Sequence, residues 1–155
     1  MRFPNVGRSK RWWLLGALVL LPAASVGIYF GYRSHRLQSL LDQSSQAFSS
    51  GQYAQAEELA GRVLAGEPES VAALVLAGRA AGKLGRDHEA AAYFDRIAED
   101  DPAVSPDGLH EAGEVALRRG RAAEAERYLR RALRQDPQHL PSNLLLAYLL
   151  SDTPD

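Results

Sequence analysis

The chain has 155 residues, no cysteine and a formal net charge of −1, enough length for one modest domain plus a short extra segment. The absence of cysteine excludes disulfides, a cysteine nucleophile, thiolate metal sites, covalent c-type haem attachment and a lipoprotein anchor. Residues 1–36 hold six Lys/Arg and no Asp/Glu, whereas residues 37–155 hold 12 basic and 19 acidic side chains, a balance that argues against general nucleic-acid binding.

The first predicted element is an apolar segment from Trp12 to Tyr32, which contains 21 residues and no charge. At about 1.5 Å per residue, a helix of this length spans roughly the 30 Å hydrocarbon core of a bilayer. Tryptophan at one end and tyrosine at the other are typical of membrane interfaces. We therefore predict a transmembrane anchor over 12–32, preceded by a basic flank over 1–11 and followed by a linker over 33–36.

Two alternatives and a reversed orientation remain open for this segment. It could be a signal peptide cleaved near the small residues 23–25, or a buried helix of a soluble domain. The four basic residues of the flank favour a cytoplasmic N-terminus, which would place the rest of the chain on the extracytoplasmic (periplasmic) side. If Arg33, His35 and Arg36 outweigh the flank, the orientation reverses and the rest of the chain is cytoplasmic.

From about His35 onward the sequence predicts helices. Ala, Leu, Glu and Arg dominate, and no run shows the period-two alternation of a strand. The helices come in pairs that are joined by short turns containing glycine. The predicted pairs are 36–49 with 53–65, 70–83 with 87–99, and 107–119 with 122–134, followed by a last helix over 141–150.

A glycine, an alanine and a proline recur through these pairs at a nearly fixed spacing. The glycine lies in the turn, where it can adopt a positive φ without a Cβ clash. The alanine lies early in the second helix and lets the two helices approach, and the proline ends that helix because it has no amide hydrogen. The set recurs after 34 residues and again after 35: Gly51, Ala56, Pro68; Gly85, Ala90, Pro102; Gly120, Ala125, Pro137.

This period and these residues resemble the tetratricopeptide repeat (TPR) family. The resemblance includes the family's large and small positions of the first helix and its apolar position in the second: Leu40, Ser44, Ala60; Leu74, Gly78, Phe94; Leu109, Gly113, Leu129. It implies a TPR helical-hairpin solenoid of three repeats and a terminal helix. With the anchor predicted above, the expected fold is all-α, an N-terminal transmembrane helix followed by this solenoid. The TPR domain is expected over 37–150, as repeats 37–69, 70–103 and 104–138, a terminal helix 139–150, and then a tail 151–155.

Two features favour contacts with other molecules. The terminal helix is more apolar than a terminal repeat normally is, so it either caps the array tightly or is covered by a partner, a second copy or further chain. Its leucines are Leu144, Leu145, Leu146, Leu149 and Leu150. The third repeat is rich in arginine, which forms either a solvated face or a docking site for anionic lipid or an acidic partner. These arginines are Arg118, Arg119, Arg121, Arg127, Arg130, Arg131 and Arg134.

The sequence contains no recognisable catalytic, cofactor-binding or metal-binding set, so we expect a protein that is not an enzyme. In the TPR family the first helices of successive hairpins line a concave groove, and the resemblance implies that a protein or peptide binds there. Several of the corresponding residues could instead simply pack hairpin against hairpin. They are Leu41, Ser45 and Phe48 in the first repeat, Val75, Arg79 and Lys83 in the second, and His110, Glu114, Leu117 and Arg118 in the third.

The expected function is a membrane-anchored TPR scaffold or adaptor that mediates protein–protein interaction in a membrane or cell-envelope assembly. This architecture looks similar to bacterial membrane-anchored TPR proteins used in envelope biogenesis. The alternative is a structural subunit of a large membrane complex, held by its transmembrane helix and its terminal leucine-rich helix. The expected partners are a protein or peptide in the groove and the membrane, but no nucleic acid, with an oligomer or complex formed through the terminal helix.

Overall fold

The computed structural model describes residues 34–98 and 101–151, and every regular element in these ranges is an α-helix. Consecutive helices form three hairpins, α1–α2, α3–α4 and α5–α6, and α7 packs against the last of them. The predicted all-α hairpin repeat is therefore confirmed. The helices are α1 (34–49), α2 (Tyr53–Gly66), α3 (Val71–Lys83), α4 (Asp87–Phe94), α5 (Pro106–Arg118), α6 (Ala122–Gln135) and α7 (Leu140–Ser151).

The predicted transmembrane anchor over 12–32 and basic flank over 1–11 lie outside the described residues. Within the ranges that are described, no helix combines the length and the apolar character needed to cross a bilayer. Residues 34–36, which the sequence assigns to a linker, are already helical in α1. Most of the predicted tail, 152–155, again falls outside the described residues.

Each hairpin turns at a glycine in the left-handed region, as the sequence predicts. The φ angle is +77° at Gly51, +74° at Gly85 and +72° at Gly120, where a side chain would strain the backbone. The amide after each glycine donates a 2.9 Å hydrogen bond to the carbonyl five residues back, which is the Schellman ending of a helix. These bonds join Gln52 to Ala47, Arg86 to Ala81 and Arg121 to Ala116.

Inside each hairpin the two helices meet at a small residue of the first helix. A Cβ built on Gly78 would lie 2.9 Å from the ring of Phe94, and one built on Gly113 would lie 3.1 Å from Leu129. Serine takes this position in α1, where the buried Ser44 hydroxyl donates a 2.7 Å hydrogen bond to a carbonyl of α2. The serine is accommodated because its polar group has an acceptor.

Helix α4 is shorter than the sequence predicts. It was expected over 87–99, but it ends at Phe94. The amides of Arg96 and Ile97 donate to carbonyls three residues back, so the backbone tightens into turns. The side chain of Ile97 then packs against three apolar clusters of neighbouring helices. The predicted helical extension beyond Phe94 is therefore wrong, because burial of Ile97 outweighs local helix propensity.

The terminal helix α7 covers the third hairpin with one face only. Leu149 is buried against Ala116 and Ala125. Another face carries three large side chains that are between 63% and 64% exposed: Leu140, Leu144 and Tyr148. Their spacing of four residues places them on one stripe. The terminal helix therefore caps the third hairpin, which is one of the two arrangements expected from the sequence. It also presents an exposed apolar stripe.

Candidate functional site

The first helices of the second and third hairpins, α3 and α5, enclose a pocket of about 170 Å³. The two helices approach closely at Gly82, where a Cβ would lie 3.1 Å from Val115 of α5. Four of the ten residues that the sequence assigns to the groove line this pocket together: Arg79, Lys83, Glu114 and Arg118. We call this set of helices and side chains the α3–α5 groove.

Glu111 is the residue of the α3–α5 groove that sequence reasoning missed. Its carboxylate accepts hydrogen bonds from Arg79, with 3.3 Å between Nη2 and Oε1, and lies 3.3 Å from the Lys83 ammonium. Only 12% of the Glu111 side chain is exposed, compared with 38% of Lys83. One carboxylate thus holds two cations in place. Its spacing of three residues from Glu114, on the same helix face, was the signal that could have identified it.

Phe48 connects the first hairpin to this groove. The guanidinium of Arg79 lies 4.4 Å from the centroid of the Phe48 ring, a cation–π contact. Tyr53 meets the same ring edge to face, with 5.3 Å between the centroids. The ring of Phe48 therefore packs on Arg79, beside the pocket between α3 and α5.

Arg118 closes the other end of the groove. Its guanidinium lies 2.8 Å from the carboxylate of Asp87, which begins α4. The hydrogen bond to Asp87 raises the pKa of Arg118, so Arg118 stays charged. Arg118 therefore ties the third hairpin to the second and is less available to a ligand than Lys83.

The other predicted groove residues divide between packing and solvent. Leu41 packs against the apolar cluster of α2 and α3, Val75 is buried beside Leu109, and Leu117 packs against the cluster that contains Leu149. Ser45 is exposed on α1. The predicted set therefore contains a charged, open part and an apolar part that joins the helices.

His110 lies half-buried next to α7. Its ring is 5.9 Å from the ring of His139, and its Nε2 atom is 3.6 Å from the carboxylate of Glu114. Its Nδ1 atom is buried without a hydrogen-bond partner among the described residues. Burial lowers the pKa of His110 below its usual value of 6.5, and Glu114 offsets this only in part. His110 is therefore held as a neutral ring at neutral pH.

Replacement of His110 by glutamine is expected to reduce the loss of stability on acidification. Because the pKa of His110 is below 6.5 in the folded chain, the unfolded chain binds the proton first as the pH falls. The stability contributed by the neutral ring is complete above pH 6.5 and declines below it. Melting temperatures at pH 7.5 and 5.5 should therefore differ more in the wild type than in His110→Gln. His88→Gln, at an exposed histidine of α4, is the control and should behave like the wild type. If the melting temperatures of the wild type and both variants fall equally between pH 7.5 and 5.5, His110 is not the group responsible.

Chemically, the α3–α5 groove offers charged hydrogen-bonding groups, and the aromatic ring of Phe48 lies beside them. Such an arrangement suits an extended peptide, whose carboxylates and main-chain groups need donors and acceptors. Over residues 34–98 and 101–151, no three His, Asp or Glu side chains are grouped so that they could hold a metal ion.

The comparison with known families decides the identity of the repeats. A tetratricopeptide repeat family model matches residues 47–108, and a second tetratricopeptide repeat model matches residues 106–139. The chain contains tetratricopeptide repeats. The two TPR matches run from the end of α1 to the start of α7 and share the glycine-centred turns described above. No curated protein matches the chain significantly.

Solved structures share this TPR fold. A mutant O-GlcNAc transferase of Thermobaculum terrenum is 25% identical to this chain, with a TM-score of 0.67. The match covers 76% of this chain and 22% of the transferase, so this chain spans about a fifth of the transferase's length. The first TPR of Spaghetti (RPAP3), bound to the HSP90 peptide SRMEEVD, is 15% identical with a TM-score of 0.65, over 74% and 90% of the two chains. The Yersinia enterocolitica type III secretion chaperone SycD, in complex with a peptide of the translocator YopD, is 21% identical with a TM-score of 0.57, over 75% and 88%.

Proposed function

We propose that this chain is a membrane-anchored TPR scaffold whose α3–α5 groove binds a peptide segment of a partner protein. The TPR family matches and the peptide-bound TPR neighbours support an interaction scaffold. The observation that carries the choice of surface is the pocket between α3 and α5, where charged side chains from two hairpins converge beside Phe48. Such a site can bind the side chains and the main chain of a partner peptide together.

The charges of the groove define what the partner needs. Arg79 and Lys83 share the Glu111 carboxylate, and Arg118 is bound to Asp87, so the cations are already paired. Lys83 is the less tightly paired of the two exposed cations, because its ammonium lies 3.3 Å from Glu111, whereas the guanidinium of Arg118 lies 2.8 Å from Asp87. A partner carboxylate can therefore reach Lys83 without separating the Arg79–Glu111 pair. We propose a partner segment with one acidic group for Lys83 and an apolar side chain that contacts the Phe48 ring beside the pocket.

Charge reversal at Lys83 tests this function. The tagged full chain is captured in mild detergent from its native membrane, and the co-purified proteins are quantified by mass spectrometry. Lys83→Glu is expected to reduce recovery of the partner about tenfold, which corresponds to a loss of about 1.4 kcal/mol. Arg62→Glu, on an exposed arginine of α2, is the matched control and should leave recovery unchanged. Equal recovery with both variants would exclude the groove.

The membrane location rests on the uncharged segment 12–32 and the basic flank before it. We propose a single-pass anchor with the repeats on the extracytoplasmic (periplasmic) side. Alkaline carbonate washing should leave the full chain in the membrane pellet. An alkaline phosphatase domain fused after residue 155 should be active, because this enzyme folds only outside the cytoplasm; an inactive fusion on a stable chain would reverse the orientation.

A structural subunit of a membrane complex is the second candidate function. The exposed stripe of Leu140, Leu144 and Tyr148 favours it, because large apolar side chains in a row mark an interaction surface. A scaffold should retain its partner after the anchor segment is replaced by an unrelated transmembrane helix. A subunit whose anchor packs on other membrane helices should lose its partners in the same exchange.

A further inference from the structure

A second and larger pocket, of about 410 Å³, lies on a different face of α5 from the groove. Leu109 and Ala112 of α5 line this pocket, whereas Glu111, Glu114 and Arg118 line the groove. At 100° per residue, these two sets point to opposite sides of the helix. We call this cavity the α6 pocket, because most of its rim comes from α6. A ligand in it would not compete with one in the groove.

The floor of the α6 pocket is apolar and its rim is basic. Side chains from the end of α4, the following turns, α5 and α6 form the floor: Phe94, Ile97, Val104, Leu109, Ala112 and Tyr128. Four arginines of α6 form the rim: Arg127, Arg130, Arg131 and Arg134. A volume of about 410 Å³ lies within the range of roughly 300–1,000 Å³ typical of ligand sites, and an apolar floor with a few charged groups is their usual composition.

Folding alone does not require four arginines at this spacing. They occupy positions i, i+3, i+4 and i+7 of α6, so their like charges stand on one face of the helix, where like charges three or four residues apart repel each other. Among the residues that the structure describes, two carboxylates line the same pocket, Asp95 and Glu124. Glu124 also lies 2.7 Å from Arg121, outside the rim. The described lining therefore holds four guanidinium groups and two carboxylates.

The arginines differ in how they are held. Arg131 is buried and donates a hydrogen bond to the main-chain carbonyl of Asp101, and Arg130 lies 2.7 Å from Glu126. Arg134 is exposed and makes no ion pair or hydrogen bond with any described residue. Tyr128 adds a hydroxyl to the floor, and burial raises its pKa. The rim thus has two guanidinium groups that are held by partners, Arg130 and Arg131, and one, Arg134, that has no partner among the described residues.

We infer that the α6 pocket binds an acidic peptide segment of a partner protein, which inserts one large apolar side chain onto the floor and pairs its carboxylates with the rim arginines. The planar guanidinium donates two parallel hydrogen bonds to a carboxylate, so arginine matches this ligand better than lysine does. The site is independent of the α3–α5 groove, so one chain can hold two segments at once.

The shape of the surface favours a peptide over a membrane. Docking on a lipid surface needs apolar side chains that protrude into the headgroup region beside the basic ones. The exposed large apolar residues of the described chain are Leu84, Leu140, Leu144, Tyr148 and Leu150, and none of them lines the α6 pocket. The apolar groups of this site are recessed below the arginines, where a side chain can enter and a bilayer cannot.

Fluorescence anisotropy with the full chain in detergent micelles tests the inference. The probe is a fluorescein-labelled heptapeptide with a central phenylalanine flanked by three glutamates on each side. We expect saturable binding that weakens as salt is added. A peptide with lysine in place of glutamate, and one with alanine in place of phenylalanine, should each bind at least tenfold more weakly. Equal binding of all three peptides would overturn the proposal.

Variants locate the binding site. Arg134→Glu is expected to weaken binding of the acidic peptide about tenfold, and the neutral Arg134→Gln should weaken it less and preserve the fold, because the side chain is exposed. Arg130→Gln and Arg62→Gln are a matched pair, since each arginine pairs with a glutamate four residues earlier on its helix. Only the former should weaken binding.

If Lys83→Glu removes binding and Arg134→Glu does not, the peptide occupies the groove and the α6 pocket is not a site. If phosphatidylglycerol vesicles bind the full chain through Arg134 and the peptide does not, the surface is a lipid site and the inference is wrong.

Discussion

Replacement of Phe94 by alanine is expected to lower the free energy of unfolding by about 3–5 kcal/mol, the cost of removing a large buried aromatic side chain. Phe94 is 4% exposed and joins the cluster of α4 and α5 residues that includes Ala112 and Val115. Its ring also rests on Gly78 of α3. Denaturant unfolding of the full chain measures the change. Tyr148→Ala, which removes an aromatic side chain that is 64% exposed, is the control and should change stability little.

A second substitution at Gly78 distinguishes this contact from general core disruption. In the wild type, Gly78→Ala places a Cβ 2.9 Å from the Phe94 ring and should destabilise the chain. In the Phe94→Ala background the same change meets empty space and gains the helix propensity of alanine over glycine, about 1 kcal/mol. It should therefore stabilise that variant. An effect of equal sign in both backgrounds would contradict the proposed fit of α3 against α4.

Replacement of Ala90 by leucine should destabilise the chain by about 1–3 kcal/mol or more, through overpacking. Ala90 has no exposed surface, and a Cβ built on Gly82 would lie 3.9 Å from the Cβ of Ala90. Three additional carbon atoms therefore have no space between α3, α4 and α5. Thermal melting of Ala90→Leu should show a clear fall in midpoint. Ala92→Leu, the same change at an exposed site of α4, should alter stability by less than about 0.5 kcal/mol. A melting curve unchanged by Ala90→Leu would refute the register of the repeats.

The helices and their turns could be predicted because each is set by local chemistry. Gly51, Gly85 and Gly120 are needed where the chain takes a positive φ, and that requirement can be read from the sequence alone. Recurrence of the same set at 34 and 35 residues then gives the stacking order of the hairpins. The end of α4 could not be predicted, because Ile97 leaves the helix to reach clusters formed by residues distant in sequence.

The residues of the candidate site were predicted less completely than the helices. The repeat register identifies which positions of α3 and α5 face the groove, and it placed Arg79, Lys83 and Arg118 there. It does not identify the partner of each charge, because Glu111 and Asp87 reach them from other helices. The α6 pocket was visible in the sequence only as a row of arginines. Its apolar floor combines side chains from α4 to α6 and exists only in the folded chain.

The central claim is that the first-helix face of the repeats holds the partner. Site-specific photo-cross-linking of the full chain in its native cells tests this most directly, with benzoyl-phenylalanine placed at Ser45, at Glu114 or, as a control, at the exposed Arg62. We predict that the same protein is cross-linked from Ser45 and from Glu114, and not from Arg62. Cross-linking of the partner from Arg62 but from neither groove position would contradict the account.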